Sequence, residues 1–137
     1  MFAAPVFIEH LSRREDNNLM IVSPDAGGVE RARAYAKRLG AELAIIDKRR
    51  SGSGSAEVMH VVGDVQGRAC IIQDDIVDTA GTLTQSAAAL RDNGAACVLG
   101  CAVHGVLSGP ALERIEGSAL EKSVSYTHLT LPTILLV

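Results

Sequence analysis

Short apolar runs recur along this chain, apolar on both faces: "NLMIVS" (18–23), "AELAIID" (41–47), "RACIIQD" (68–74) and "AACVLGCAVHG" (95–105). A half-buried strand alternates apolar and polar residues; these runs largely do not, so both of their faces must be covered. Between them stand segments with helical spacing. In "VERARAYAKRLG" (29–40), Val29, Ala32, Ala36 and Leu39 share one face, Glu30, Arg31, Lys37 and Arg38 the other, and Gly40 is a natural stop. "TLTQSAAALRDNG" (82–94) puts Leu83, Ala87 and Leu90 inward and ends at Gly94. "PVFIEHLSRR" (5–14) reads as a short amphipathic helix with Val6, Phe7 and Leu11 inward. "SGPALERI" (108–115) opens another, with Ser108 as N-cap and Pro110 in its first turn. "EVMHVVG" (57–63) alternates like a hairpin arm and leads into the turn "GDVQG" (63–67). This order predicts an α/β fold with a mainly parallel sheet flanked by helices.

A length of 137 residues suits one compact domain. Aromatics make up only 3% of the chain and Trp is absent, so Val, Ile, Leu and Ala must build the core, as in a covered parallel sheet. The net charge of −3 argues against non-specific nucleic-acid binding. Cys70, Cys97 and Cys101 lie in or beside apolar runs with no CxxC pair, and read as buried free thiols in a reducing compartment. His60 and His104 show no metal-ligand spacing, and read as satisfied or exposed side chains. No signal peptide is visible, and no run reaches the ~18 apolar residues of a membrane span. The expectation is a soluble, cytoplasmic protein with neither a membrane nor a nucleic-acid partner.

In a parallel sheet, ligands bind beyond the carboxyl ends of the strands. "SPDAGG", "DKRR", "QDDIVDTAGT" and "VHGVLSG" all fall at that edge. In "DIVDTAGT", Gly81 permits positive φ, so successive N–H groups can curl around an anion at the start of the next helix, while Thr79 and Thr82 offer hydroxyl donors. Asp74 and Asp75 stand where they can accept from the vicinal hydroxyls of a sugar, and Asp78 orients the loop or acts as a base. A pentose 5-phosphate satisfies both halves. Capping the next helix would need one acid, not three. "SPDAGG" is a second glycine turn opening onto a helix, with Asp25 suited to a Mg²⁺ ion on a diphosphate. "KRRSGSGSA" (48–56), basic and then Gly/Ser-rich, reads as a mobile loop that carries Lys48, Arg49 and Arg50 over the site. Strand alternation would send Lys48 and Arg50 one way and Arg49 the other.

Five ordered segments, "IVSPDAGGVERARAYAKRLG", "AIIDKRR", "AEVMHVVGDVQGR", "IIQDDIVDTAGTL" and "HGVLSGPALERI", resemble the C-terminal half of the ribose-phosphate diphosphokinases (phosphoribosyl pyrophosphate synthetases), which carry a type I phosphoribosyltransferase fold; the resemblance runs from about residue 5 to 122. It implies transfer of the diphosphoryl group of ATP to the 1-hydroxyl of ribose 5-phosphate, giving AMP and phosphoribosyl pyrophosphate, with Mg²⁺ as cofactor. It implies that Asp25, Ala26, Gly27 and Gly28 hold pyrophosphate, with Asp25 on the metal. Lys48 and Arg50 would be the catalytic cations. Asp74 and Asp75 would hold the ribose hydroxyls, and Asp78, Thr79, Ala80, Gly81 and Thr82 the 5-phosphate. Family members assemble as homo-oligomers, hexamers among them. A base-specific phosphoribosyltransferase would share the phosphate loop, and a non-catalytic synthetase-associated subunit would share the fold; "KRRSGSGSAEVM" and the intact acids favour the diphosphokinase.

The chain departs from the family pattern in three places. Gln73 stands where an apolar residue usually precedes the paired acids. The N-terminal domain, which supplies much of the ATP surface, is missing, so the fold is expected to be truncated at both ends and the fragment inactive alone. Residues 1–124 form the phosphoribosyltransferase-like domain in this reading; 125–137, "SYTHLTLPTILLV", are an atypical tail foreign to the family.

Overall fold

The structure, a computed structural model, describes residues 18–50, 57–77, 80–105, 108–118, 120 and 122–125. Six strands form one sheet in the order β3-β2-β1-β4-β5-β6: β1 (Leu19–Ser23), β2 (Glu42–Arg50), β3 (Glu57–Val62), β4 (Ala69–Val77), β5 (Cys97–Gly105) and β6 (Lys122–Ser125). All neighbours are parallel except the β2–β3 hairpin. Three α-helices, α1 (Val29–Leu39), α2 (Gly81–Asp92) and α3 (Ala111–Glu116), and a 3-10 turn (Ala26–Gly28) complete the described elements. The α/β fold with a mainly parallel sheet is thus as the apolar runs predict. The helix expected at 5–14 and residues 51–56 of the expected loop lie outside the described residues, as does the tail after Ser125.

Chain direction explains which face each helix covers. From β1 the path crosses outward to β2, and from β4 it crosses the opposite way to β5. Right-handed crossovers in opposite directions put their helices on opposite faces of the sheet. Accordingly Ile21, Ile71, Leu99 and Cys101 pack with Ala32, Tyr35 and Ala36 of α1. Met20, Val22, Ala44, Ile46, Cys70 and Ile72 pack with Leu83, Ala87 and Leu90 of α2 and with Ala111 and Ile115 of α3. Ile21, Val22, Ile71 and Ile72 are wholly buried, as strands covered on both faces must be. Tyr35 joins the inward face of α1, which helical spacing had assigned to alanines and flanking aliphatics; burial, then the Cys101 thiol, push its phenol up to about 12. The three cysteines form no disulfide; Cys70 and Cys101 are buried as expected, while Cys97 is only half-buried. Burial and the neighbouring Cys97 push the Cys70 thiol up to about 11, so it stays protonated and unreactive near neutral pH.

Several boundaries differ from the sequence reading. β2 runs through Lys48 and Arg49 to Arg50, where a loop was expected, because β3 pairs with it as far as Arg50↔Glu57. β4 continues past Asp74 and Asp75 to Val77, held by β5 through Val77↔Gly105. Pro110, not Ser108, is the N-cap of α3, and the helix begins after the proline. Lys122–Ser125 form a strand that the sequence did not announce; Ser125, assigned to the foreign tail, pairs with Ala102. Among the described residues no helix is long and apolar enough to cross a membrane.

Candidate functional site

The strand order reverses between β1 and β4, the switch point at which a parallel sheet opens a crevice. Strand lengths deepen it here. β1 ends at Ser23, opposite Ile45, while β2 continues to Arg50. On the other side β1 matches β4 only as far as Val22↔Ile72, while β4 continues to Val77. A notch remains above Ser23, walled by residues 46–50 of β2 and 73–77 of β4.

The floor of the notch is the turn after β1. Ser23 is fully buried, and its Oγ donates to the Asp25 carbonyl at 2.5 Å. Asp25 caps the 3-10 turn Ala26–Gly28, its Oδ1 accepting from the Gly28 N–H at 2.9 Å. A Cβ on residue 28 would approach Ser23 Oγ to 3.1 Å, so a larger residue there would have to push that hydroxyl aside by a few tenths of an ångström. Asp25, Ala26 and Gly27 are exposed to whatever enters the notch. Asp25 therefore spends one carboxylate oxygen on capping this turn. Among the described residues no group of three His, Cys, Asp or Glu side chains could enclose a metal. Mg²⁺ needs no such cage: it keeps several waters and takes one or two carboxylates together with phosphate oxygens. The second oxygen of Asp25 fits that donor set.

One wall leads into α2. Ala80 adopts φ 64°, ψ 15° and precedes the first helical residue, Gly81. The left-handed residue is thus Ala80 rather than Gly81, which corrects the role assigned to the glycine. A methyl-bearing residue in this region costs on the order of 1–2 kcal/mol, a strain that the surrounding packing must hold. Ala80 is buried, and Thr84 Oγ1 donates to its carbonyl at 2.7 Å. Among the described residues no side chain caps α2, whose first-turn N–H groups and positive dipole end suit an anion. Asp78 and Thr79 lie outside the described residues.

The opposite wall supplies the cation. Lys48 follows Ala44 and Ile46 on the α2 face, half-buried, and its Nζ donates to Thr82 Oγ1 at 3.4 Å. Arg49 faces the other way, its Nε 2.8 Å from Asp47 Oδ2 in an exposed pair that contributes little. Alternation along β2 therefore holds for Lys48 and Arg49; the Arg50 side chain lies outside the described atoms. Asp74 and Asp75 both belong to β4, beyond the end of β1; Asp74 is half-buried, and the Asp75 side chain lies outside the described atoms. Sequence reasoning passed over Ser23, although a serine directly before Pro-Asp at a strand end is a recognisable signal for a side-chain-to-backbone turn.

These elements match known proteins over most of the chain. The phosphoribosyl transferase domain model matches residues 6–122. A ribose-phosphate pyrophosphokinase of Bordetella pertussis is 55% identical over 124 residues, covering 90% of this chain and 40% of the relative. Ribose-phosphate pyrophosphokinase 1 of Listeria innocua is 53% identical over 131 residues, covering 95% of this chain and 41% of the relative. The crystal structure of phosphoribosylpyrophosphate synthetase from Mycobacterium smegmatis superposes with a TM-score of 0.77 at 37% identity, covering 90% of this chain and 39% of that one. The chain thus spans about two-fifths of the length of the curated relatives it matches. On the breadth of the domain match, this chain belongs to the phosphoribosyl transferase domain family, and within it the relatives it resembles are ribose-phosphate pyrophosphokinases.

Proposed function

We propose that this chain carries the ribose 5-phosphate and diphosphate portion of a ribose-phosphate diphosphokinase site. The whole protein would move the diphosphoryl group of ATP to the 1-hydroxyl of ribose 5-phosphate, releasing AMP and phosphoribosyl pyrophosphate. The observation that carries the reading is the approach of the Lys48 ammonium to Thr82 at the start of α2. A cation and an anion-ready helix end converge from opposite walls of one notch.

In this reading the N–H groups at 80–82 and the Thr82 hydroxyl take the 5-phosphate, with Asp78 and Thr79 completing the loop. Asp74 and Asp75 accept from the ribose hydroxyls. The turn Asp25–Gly28 takes the diphosphate, and Asp25 is the Mg²⁺ ligand. Bound Mg²⁺ neutralises phosphate charge. Lys48 and Arg50 stabilise charge on the transferring group, work that is positioning and electrostatics rather than covalent chemistry. ATP's nucleoside part and assembly into a homo-oligomer draw on segments beyond this chain, which alone is inactive; the protein works in the cytoplasm.

Calorimetric titration of the chain with ribose 5-phosphate, and with phosphoribosyl pyrophosphate plus Mg²⁺, tests the reading. Saturable binding of both is the expected result; a folded chain that binds neither refutes it. Asp75→Ala is expected to weaken ribose 5-phosphate binding at least tenfold while the circular dichroism melt is preserved; unchanged affinity would remove that residue from the site. Asp25→Ala is expected to lower affinity for magnesium pyrophosphate and, through the lost cap, stability by about 1 kcal/mol. Equal pyrophosphate binding by parent and variant would leave Asp25 a cap only.

A further inference from the structure

Gln73 is 2% exposed, an uncommon place for an amide. It faces the α1 side of the sheet, opposite Cys101 of β5 and one alternation beyond Ile71. Its Nε2 donates to the Asp74 carbonyl at 3.1 Å. Its Oε1 is buried with no hydrogen-bond partner among the described residues. Burying such a group is unfavourable, so its packing alone does not account for it.

The location supplies a reason. The pairing of β1 with β4 stops at Ile72, so from Gln73 onward β4 has a strand partner on one side only. Gln73 is the first residue past the loss. Its amide donates to the Asp74 carbonyl, which by alternation from Ala69 lies on the β5-facing side, and so ties the buried side chain to the backbone of the acidic pair. We propose that Gln73 is a positioning residue: this bond from a buried side chain stiffens the end of β4 that has a single strand partner, and with it the acidic pair Asp74–Asp75. The ligand consequence rests on the proposed ribose 5-phosphate reading. An acid pair that must meet two vicinal hydroxyls together tolerates little displacement, so a loosened strand end weakens sugar binding. The diphosphate turn at Asp25–Gly28 is organised by Ser23 and by Asp25 itself, and does not depend on Gln73.

The test uses Gln73→Met, which keeps length and removes the donor, with Gln73→Leu as a second apolar replacement. Two readouts are taken on the full chain: amide hydrogen exchange over residues 73–77, and calorimetric affinities for ribose 5-phosphate and for magnesium pyrophosphate. The melting temperature is expected to hold or rise, because an orphaned acceptor disappears. Faster exchange over 73–77, with a roughly tenfold loss of ribose 5-phosphate affinity and unchanged pyrophosphate affinity, is the expected pattern. Unchanged exchange, unchanged sugar affinity, or an equal loss for both ligands overturns the positioning role. If the parent chain itself binds no ribose 5-phosphate, the proposed function fails, and the ligand consequence drawn here fails with it.

Discussion

Replacing Lys48 by Ala, in a protein that joins this chain to the remainder found in its relatives, is expected to lower kcat by about 100-fold or more while leaving ribose 5-phosphate affinity within about twofold. A preorganised charge beside a transferring diphosphoryl group acts mostly in the transition state, so its loss falls on turnover rather than on ground-state binding. The contact of Lys48 with Thr82 is long, 3.4 Å to Oγ1, and half-buried, so little binding energy depends on it. Steady-state kinetics beside calorimetry separates the two effects. Undiminished turnover would exclude the catalytic role. A matched loss in kcat and in sugar-phosphate affinity would make Lys48 a binding residue instead.

The second large effect concerns α2, the helix whose start is proposed to take the phosphate. Leu83, in the first turn of α2, is 2% exposed and packs over Gly100 of β5. The fit is close: a Cβ at residue 100 would come within 3.1 Å of Leu83 Cδ1. Leu83→Ala is expected to cost about 3 kcal/mol in a denaturant melt, the usual range for a buried leucine being about 2–5 kcal/mol. That is a large share of the about 5–15 kcal/mol that holds a domain together. It is also expected to weaken phosphate binding, since the same contact seats the helix start that follows the left-handed Ala80. A cost below about 1 kcal/mol would show that this end of α2 is held from elsewhere.

Both predictions depend on contacts that no local pattern displays. Helical spacing was enough to find α1 and α2, and to name Leu83, Ala87 and Leu90 as inward. The glycine stop at Gly40 follows from its φ of 65°. Elements that end on charged residues were read too short. "DKRR" resembles a solvated run, yet β3 extends β2 through it, because hairpin pairing beyond the core asks nothing of side-chain polarity. "DDIV" was split at its acids for the same reason, although β5 holds β4 to Val77. The polar edge strand Lys122–Ser125 carries no apolar run at all and exists through its register with β5. The glycine in "DTAGT" was given the unusual backbone conformation that its neighbour Ala80 adopts; intrinsic preference favoured Gly81, and the packing around a buried methyl overrode it.

The sequence by itself determined the α/β class, the parallel core and the loops that gather at one rim, because these follow from periodicity and from residues within a dozen positions of one another. It also showed which loops carry acids, glycines and cations. Only the tertiary structure decided that β1 stops short between two longer neighbours, that Lys48 meets a threonine 34 residues away, and that Gln73 is buried where a strand partner is lost. Strand register and relative length are set by pairing between segments distant in the chain. A one-residue slip would turn Lys48 away from α2 and Arg49 toward it.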